Sequence, residues 1–193
     1  MALVLGILGL QGDFALHARS LHRLRIPHRL VRWPEDLKDC RGLILPGGES
    51  TTFLNLMDKT GLRDAIIDFA RDKPLMGTCA GLIVLATRVQ GHHMKTLGLI
   101  ELEAKRNAFG RQINSFQATV HLPSFSENPS FEGVFIRAPQ IVSTGDNVQA
   151  LGFFQDQVVM ARNRNMLVMT FHPELTPDTR IHHFFYHSFV QSA

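Results

Sequence analysis

Ala2–Leu10 is an unbroken run of apolar residues and glycine that stops abruptly at Gln11-Gly12-Asp13. A membrane-spanning helix needs roughly 20 such residues. The run also lacks the basic start and small-residue cleavage site of a signal peptide. A short continuous apolar run is the pattern of a strand covered on both faces, as in a parallel sheet. Val4–Leu10 is therefore predicted as the first strand. His28–Val31, Gly42–Leu45, Pro74–Gly77 and Met166–Phe171 follow as further buried strands.

Between these runs the apolar period changes to that of helices. Phe14, Ala18 and Leu21 share one face of a predicted helix over Phe14–Leu24, with Asp13 placed to cap it. Thr52–Met57, Leu62–Arg71, Ala80–Thr87 and Pro177–Val190 are the other predicted helices. Strands alternating with helices imply a parallel sheet with crossover helices. The second half adds short strands at Gly98–Glu103, Phe116–His121, Val134–Arg137, Ile141–Ser143, Val148–Phe153 and Val158–Ala161. Their close spacing and intervening turn residues predict antiparallel hairpins. The expected class is α/β, a mostly parallel core with an antiparallel extension, in a single domain over residues 1–193.

Composition excludes several function classes. A net charge of +3, spread along the chain without a basic block, gives no nucleic-acid stripe. The two cysteines, Cys40 and Cys79, cannot build a disulfide scaffold and fit a cytoplasmic protein. With 45% apolar and 19% charged residues, the chain has the composition of a soluble globular protein rather than a disordered one.

Open α/β sheets build their sites beyond the carboxyl ends of the strands. Three abrupt strand ends therefore hold the candidates. The first is Gly77-Thr78-Cys79-Ala80-Gly81, the layout of a nucleophile elbow with cysteine in the serine position. Such a turn lifts the sulfur out of the sheet at a helix N-terminus, where the dipole favours a thiolate. The amide of Ala80 would face a developing oxyanion. The flanking glycines alone do not separate a nucleophile from a buried structural thiol; Cys40, without such a setting, is read as structural.

The second end is His172-Pro173-Glu174. A cysteine nucleophile needs a histidine to move protons and an acid to orient it. In extended chain, residues two apart project to one side, so Glu174 would reach His172. The chain has ten histidines, and the others are assigned plainer places. His92 and His93 fall in a loop. His17, His22, His28, His121 and His182 are expected at the surface or an interface. His183 and His187, spaced as neighbours on a helix face, lack a third ligand, so no metal site is expected.

The third end is Leu45-Pro46-Gly47-Gly48-Glu49-Ser50-Thr51-Thr52. It lacks the lysine of a phosphate loop. Adjacent glycines present backbone N–H groups and reorient cheaply, which suits an oxyanion donor. Ser50 is placed to cap the following helix.

Together these three ends resemble the class I (triad) glutamine amidotransferases. Within that class the chain resembles the glutaminase subunits of pyridoxal 5′-phosphate synthase, the PdxT/SNO family. The resemblance runs over nearly the whole length. It is carried by Gly9-Leu10-Gln11-Gly12, by the stretch from Leu43 to Thr52, and by Gly77 to Ile83. It continues through Arg106-Asn107-x-Phe109-Gly110-Arg111-Gln112, Gly133 to Pro139, and Phe171 to Leu175.

The resemblance implies a flavodoxin-like three-layer sandwich and a Cys79-His172-Glu174 triad that hydrolyses L-glutamine to glutamate and ammonia. It implies an oxyanion hole at Gly48 and Ala80, and a glutamine site at Gly47, Gly48, Glu49, Ser50, Arg106, Ile136 and Arg137. Charge complementarity gives Glu49 the α-ammonium and an arginine, Arg106 or Arg137, the α-carboxylate. It further implies delivery of ammonia to a synthase subunit (PdxS) in a large heteromeric complex. Pyridoxal phosphate would be the product of that complex, and this chain would need no cofactor. Two other readings fit the residues: the glutaminase of another amidotransferase, such as imidazole glycerol phosphate synthase, and a binding subunit that has lost catalysis.

Overall fold

The computed structural model describes residues 3–106, 115–125 and 127–192. Nine strands form one sheet: β1 (Val4–Leu8), β2 (His28–Val31), β3 (Cys40–Leu45), β4 (Leu75–Thr78), β7 (Ser115–His121), β8 (Ser130–Ile136), β10 (Gln149–Phe154), β11 (Gln157–Arg162) and β12 (Met166–Met169). Their order is β2-β1-β3-β4-β12-β11-β10-β7-β8. Pairing is parallel from β2 through β12 and antiparallel from β12 outward to β8. This is the parallel core with an antiparallel extension that the sequence predicts.

The central strands are covered on both faces, as continuous apolar runs require. Side chains alternate across the sheet: Leu43 and Leu45 join one core, while Ile44 joins the other. On the first face lie α2 (Ser50–Thr60), α3 (Leu62–Phe69) and α4 (Ala80–Leu85). On the second lie α1 (Phe14–Arg23) and α5 (Arg180–Phe185). Among the described residues, no helix is long and apolar enough to cross a membrane.

Four predicted details change. The helix expected over Ala80–Thr87 stops at Leu85, and Ala86–Val89 becomes strand β5. That strand pairs with β6 (Ile100–Lys105), which pairs with β9 (Gln140–Thr144), giving a separate three-stranded sheet. Its partners come from distant chain, so local periodicity carried no sign of it. The closing helix begins at Arg180 rather than Pro177, because the Asp178 carboxylate accepts the Arg180 amide and holds a turn there. Beyond Phe185 the chain continues as a wider π-helical segment, Tyr186–Val190.

The remaining two changes concern caps. Asp13 precedes α1 but makes no capping bond; its carboxylate lies 3.8 Å from His172 Nδ1. Ser50 is the first residue inside α2, and the cap is Glu49, whose carboxylate accepts from the amides of Thr51 and Thr52.

Candidate active site

The four central parallel strands stand side by side in the order β1-β3-β4-β12. Their carboxyl ends therefore deliver Gln11 to Asp13, Gly47 to Glu49, Cys79, and His172 to one edge of the sheet. In-register pairing of Leu45 with Gly77 and of Met169 with Thr78 sets the three sequence-predicted strand ends beside one another.

Cys79 holds the strained turn expected of an elbow, with φ 48° and ψ −102°. Such a conformation costs on the order of 1–3 kcal/mol at a non-glycine residue and persists only when its surroundings enforce it. Here the Cys79 amide donates to the Met169 carbonyl at 2.9 Å, and the backbone carbonyl of Leu45 packs against Gly81. A Cβ at Gly81 would come within 2.1 Å of that oxygen, which is why the second glycine of the elbow is needed. The sulfur lies 3.7 Å from the Ile136 carbonyl.

His172 Nδ1 and Glu174 Oε1 are 2.7 Å apart, and both residues are buried. Pro173 and Glu174 begin a single 3₁₀ turn, which leaves the His172 backbone extended and folds the carboxylate back onto the ring. Burial alone would lower the imidazole's pKa, but Cys79 and Glu174 outweigh it and carry it up to about 10. Burial would likewise raise the carboxyl of Glu174, yet the neighbouring imidazoles of His17 and His172 hold it down at about 2. At neutral pH the pair is an imidazolium hydrogen-bonded to a carboxylate. Nε2 of His172 is buried without a hydrogen-bond partner of ordinary geometry, on a ring that interacts with Cys79.

A cleft of about 150 Å³ opens over these groups. Gly48, Glu49, Ser50, Cys79, Ala80, Arg106, Ile136, Arg137 and His172 line it, together with Asp13 and Ile83. Of the site residues expected there, Gly47, packed on the imidazole, and Glu174, buried behind it, are not on the wall.

The SNO glutamine amidotransferase family matches residues 7–191. This chain belongs to that family. It is 41% identical to a pyridoxal 5′-phosphate synthase subunit PdxT of Thermotoga petrophila, over 94% of this chain and 96% of that one. It is 46% identical to the PdxT of Dictyoglomus turgidum, over 94% and 96%. A solved glutamine amidotransferase superposes with a TM-score of 0.90 at 41% identity, covering 95% and 97% of the two chains. The PurLQS structure from Thermotoga maritima, at 16% identity and a TM-score of 0.72, shares the fold. The fold is that of the class I glutamine amidotransferases, and the chain is a glutamine-hydrolysing enzyme of that family.

Several features of this amidotransferase escape the strand-end argument. Gln11 clamps the glycine turn from the end of β1: its Nε2 donates to the Glu49 carbonyl at 3.0 Å and its Oε1 accepts the Glu49 amide at 3.4 Å. Its place after the first apolar run and within the Gly9–Gly12 motif marked the residue but not this role. Glu49 pairs with Arg106 at 3.0 Å, so the two charges expected to read the ends of glutamine lie side by side. Arg137 sits on the cleft wall with φ 42°, another strained residue at the site. The rest of the Arg106–Gln112 motif, residues 107–112, lies outside the described residues.

His17 and His182 correct the expectation of surface histidines. Both are fully buried behind Glu174, their ring nitrogens 2.9 Å apart. Their helices are amphipathic, and a histidine reads as polar in such a pattern whichever way it faces. His183 and His187 do stack on one helix face, with ring centroids 4.0 Å apart. Among the described residues, Asp13, His172 and Glu174 are a triple of metal-ligand type, with ligand atoms within 4.8 Å. The His172 nitrogen in that group is already engaged by Glu174, which fits proton management better than metal ligation.

Proposed function

We propose that Cys79, His172 and Glu174 are the nucleophile, the acid–base and the orienting acid of glutamine hydrolysis. The Cys79 sulfur attacks the side-chain amide carbon of L-glutamine as a thiolate, with its proton on His172. Negative charge gathers on the amide oxygen, where the N–H groups of Gly48 and Ala80 would hold it. His172 passes its proton from Nε2 to the leaving nitrogen, and ammonia departs, leaving a γ-glutamyl thioester. The neutral imidazole then takes a proton from water, which attacks the thioester and releases glutamate. Glu174 stays ionised throughout and stabilises the imidazolium whenever it forms.

The Glu49–Arg106 pair supports recognition of a free amino acid, because it offers opposite charges to the α-ammonium and α-carboxylate. Arg137 stands on the same wall as a second partner for the carboxylate. The ammonia goes to a synthase subunit that builds pyridoxal 5′-phosphate. The relatives named as subunits of that synthase, matched along nearly their full length, support this assignment.

The observation that carries the mechanism is the buried 2.7 Å bond between His172 and Glu174 beside a cysteine at φ 48°. The deciding experiment measures glutamate release from glutamine with and without the synthase subunit, wild type beside Cys79→Ser and Cys79→Ala. Hydrolysis is expected to rise with the partner and to vanish in both variants. Full activity of Cys79→Ala in the assembled complex would reject the mechanism.

A further inference from the structure

The triad reading uses one oxygen of Glu174. The other, Oε2, is buried and has no hydrogen-bond partner of ordinary geometry, while His17 Nε2 lies 3.4 Å from it. The same Nε2 is 3.3 Å from the Thr78 hydroxyl, one residue before the nucleophile. On its far side His17 meets His182, Nδ1 to Nε2, at 2.9 Å. His17, Thr78 and His182 are each 0% exposed, so three elements (α1, the end of β4 and α5) bury polar groups at one point.

Proton counting fixes the direction of this chain. Burial pushes His17 below the ordinary imidazole range, outweighing the attraction of Glu174, with His172 acting in the same sense as burial and Asp13 against it. Burial, with His17, takes His182 down to about 3 against the pull of Glu174. Two neutral imidazoles 2.9 Å apart share one proton between the facing nitrogens. If His17 donated, its bare Nε2 could accept from the Thr78 hydroxyl but would still stand against the carboxylate, and His182 would bury an N–H at Nδ1, which has no partner. If His182 donates, its Nδ1 is merely an unused lone pair, and the His17 proton sits on Nε2, facing Glu174. The second arrangement avoids both an unpaired donor and a lone pair against a carboxylate.

We propose that His17 is a positioning residue of the reaction: a neutral imidazole, held in its Nε2–H form by His182, that donates to Glu174 Oε2 and fixes the carboxylate against His172. Glu174 is then gripped through both oxygens and cannot turn away from the imidazole. The inference rests on the triad reading.

The test compares wild type, His17→Leu, His17→Gln and His182→Leu in the assembled synthase complex. Glutamine Nε2 reaches the place of histidine Nε2 and carries a proton; leucine carries none. In His17→Leu, kcat for glutamine hydrolysis is expected to fall about 10- to 100-fold with KM within about twofold of wild type. The pH midpoint for alkylation of Cys79 by iodoacetamide, followed on the Cys79 peptide, is expected to rise by about one unit. His17→Gln is expected to recover kcat to within about threefold and to restore the midpoint. His182→Leu is expected to lose about threefold, because the tautomer of His17 is then only partly fixed.

Equal losses in the Gln and Leu variants, or a Leu variant with wild-type kcat and midpoint, overturn the proposal. If His17→Leu does not fold, the other two decide: a Gln variant below a tenth of wild-type kcat, or a His182→Leu variant indistinguishable from wild type, overturns it. Failure of the triad itself is separate, since it appears as activity surviving in Cys79→Ala.

Discussion

Gly47 packs against the imidazole of His172 so closely that a Cβ on Gly47 would sit 2.2 Å from Cε1 of the ring. The glycine turn and the histidine of the proposed triad are thus one packed unit. In Gly47→Ala the ring must move, and misplacement by about 1 Å costs on the order of 100-fold in rate. Steady-state kinetics should show kcat reduced at least that far, with glutamine still bound.

Glu174→Gln keeps the shape of the carboxylate but removes its charge. The amide also offers an N–H where the imidazolium needs an acceptor. Loss of the corresponding acid in serine triads costs about 10,000-fold; a fall in kcat of roughly 100- to 10,000-fold is expected here. The same assay, run beside circular dichroism to check folding, settles it.

Glu49 serves two structures at once. It caps α2 through the amides of Thr51 and Thr52, and it pairs directly with Arg106 on the cleft wall. Glu49→Ala should lower stability by about 1 kcal/mol, the usual worth of a cap. It should also raise KM for glutamine by about 10-fold or more through the lost ammonium contact, with a smaller effect on kcat. Urea melts and substrate titrations separate the two effects.

Stability should depend on pH in a direction set by three buried groups. Glu174 is held near 2, below its ordinary 4.5, so its contribution is complete above pH 4.5 and is lost as pH falls toward 2. His182 is held near 3, below 6.5, so the unfolded chain takes up a proton first and stability also falls on acidification below 6.5. His172 is raised from 6.5 to about 10, so its contribution is complete below 6.5 and is lost as pH rises through 10. From these groups stability peaks near pH 6.5, and His182→Leu should flatten the acid side. Urea midpoints between pH 4 and 9 give the curve; a midpoint still climbing above pH 8 would contradict it.

Much of this was legible in the sequence because its signals are local. His28–Val31 is a strand with the predicted bounds, and the elbow at Cys79 and the turn at His172 lie where glycine and proline break apolar runs. What stayed hidden depends on distant partners. Nothing in Ala86–Val89 distinguishes a last helical turn from a strand until β6 lies beside it. The burial of His17 follows from α1 packing over the turn that carries Glu174, a contact that spacing within α1 does not express. The sequence places Glu49 as a substrate ligand and Ser50 as the cap; the helix begins at Ser50, two residues before the predicted start, so Glu49 caps as well.

The amide of His172 donates to the Val134 carbonyl at 2.8 Å, and the Cys79 sulfur faces the Ile136 carbonyl. Both carbonyls belong to β8, the outermost strand of the sheet. Phe131 and Phe135 of the same strand pack on Phe171, the residue before the histidine. An edge of the sheet is therefore stitched straight to the candidate active site. A shift of that outer hairpin would move the carbonyls that hold the His172 amide and face the Cys79 sulfur.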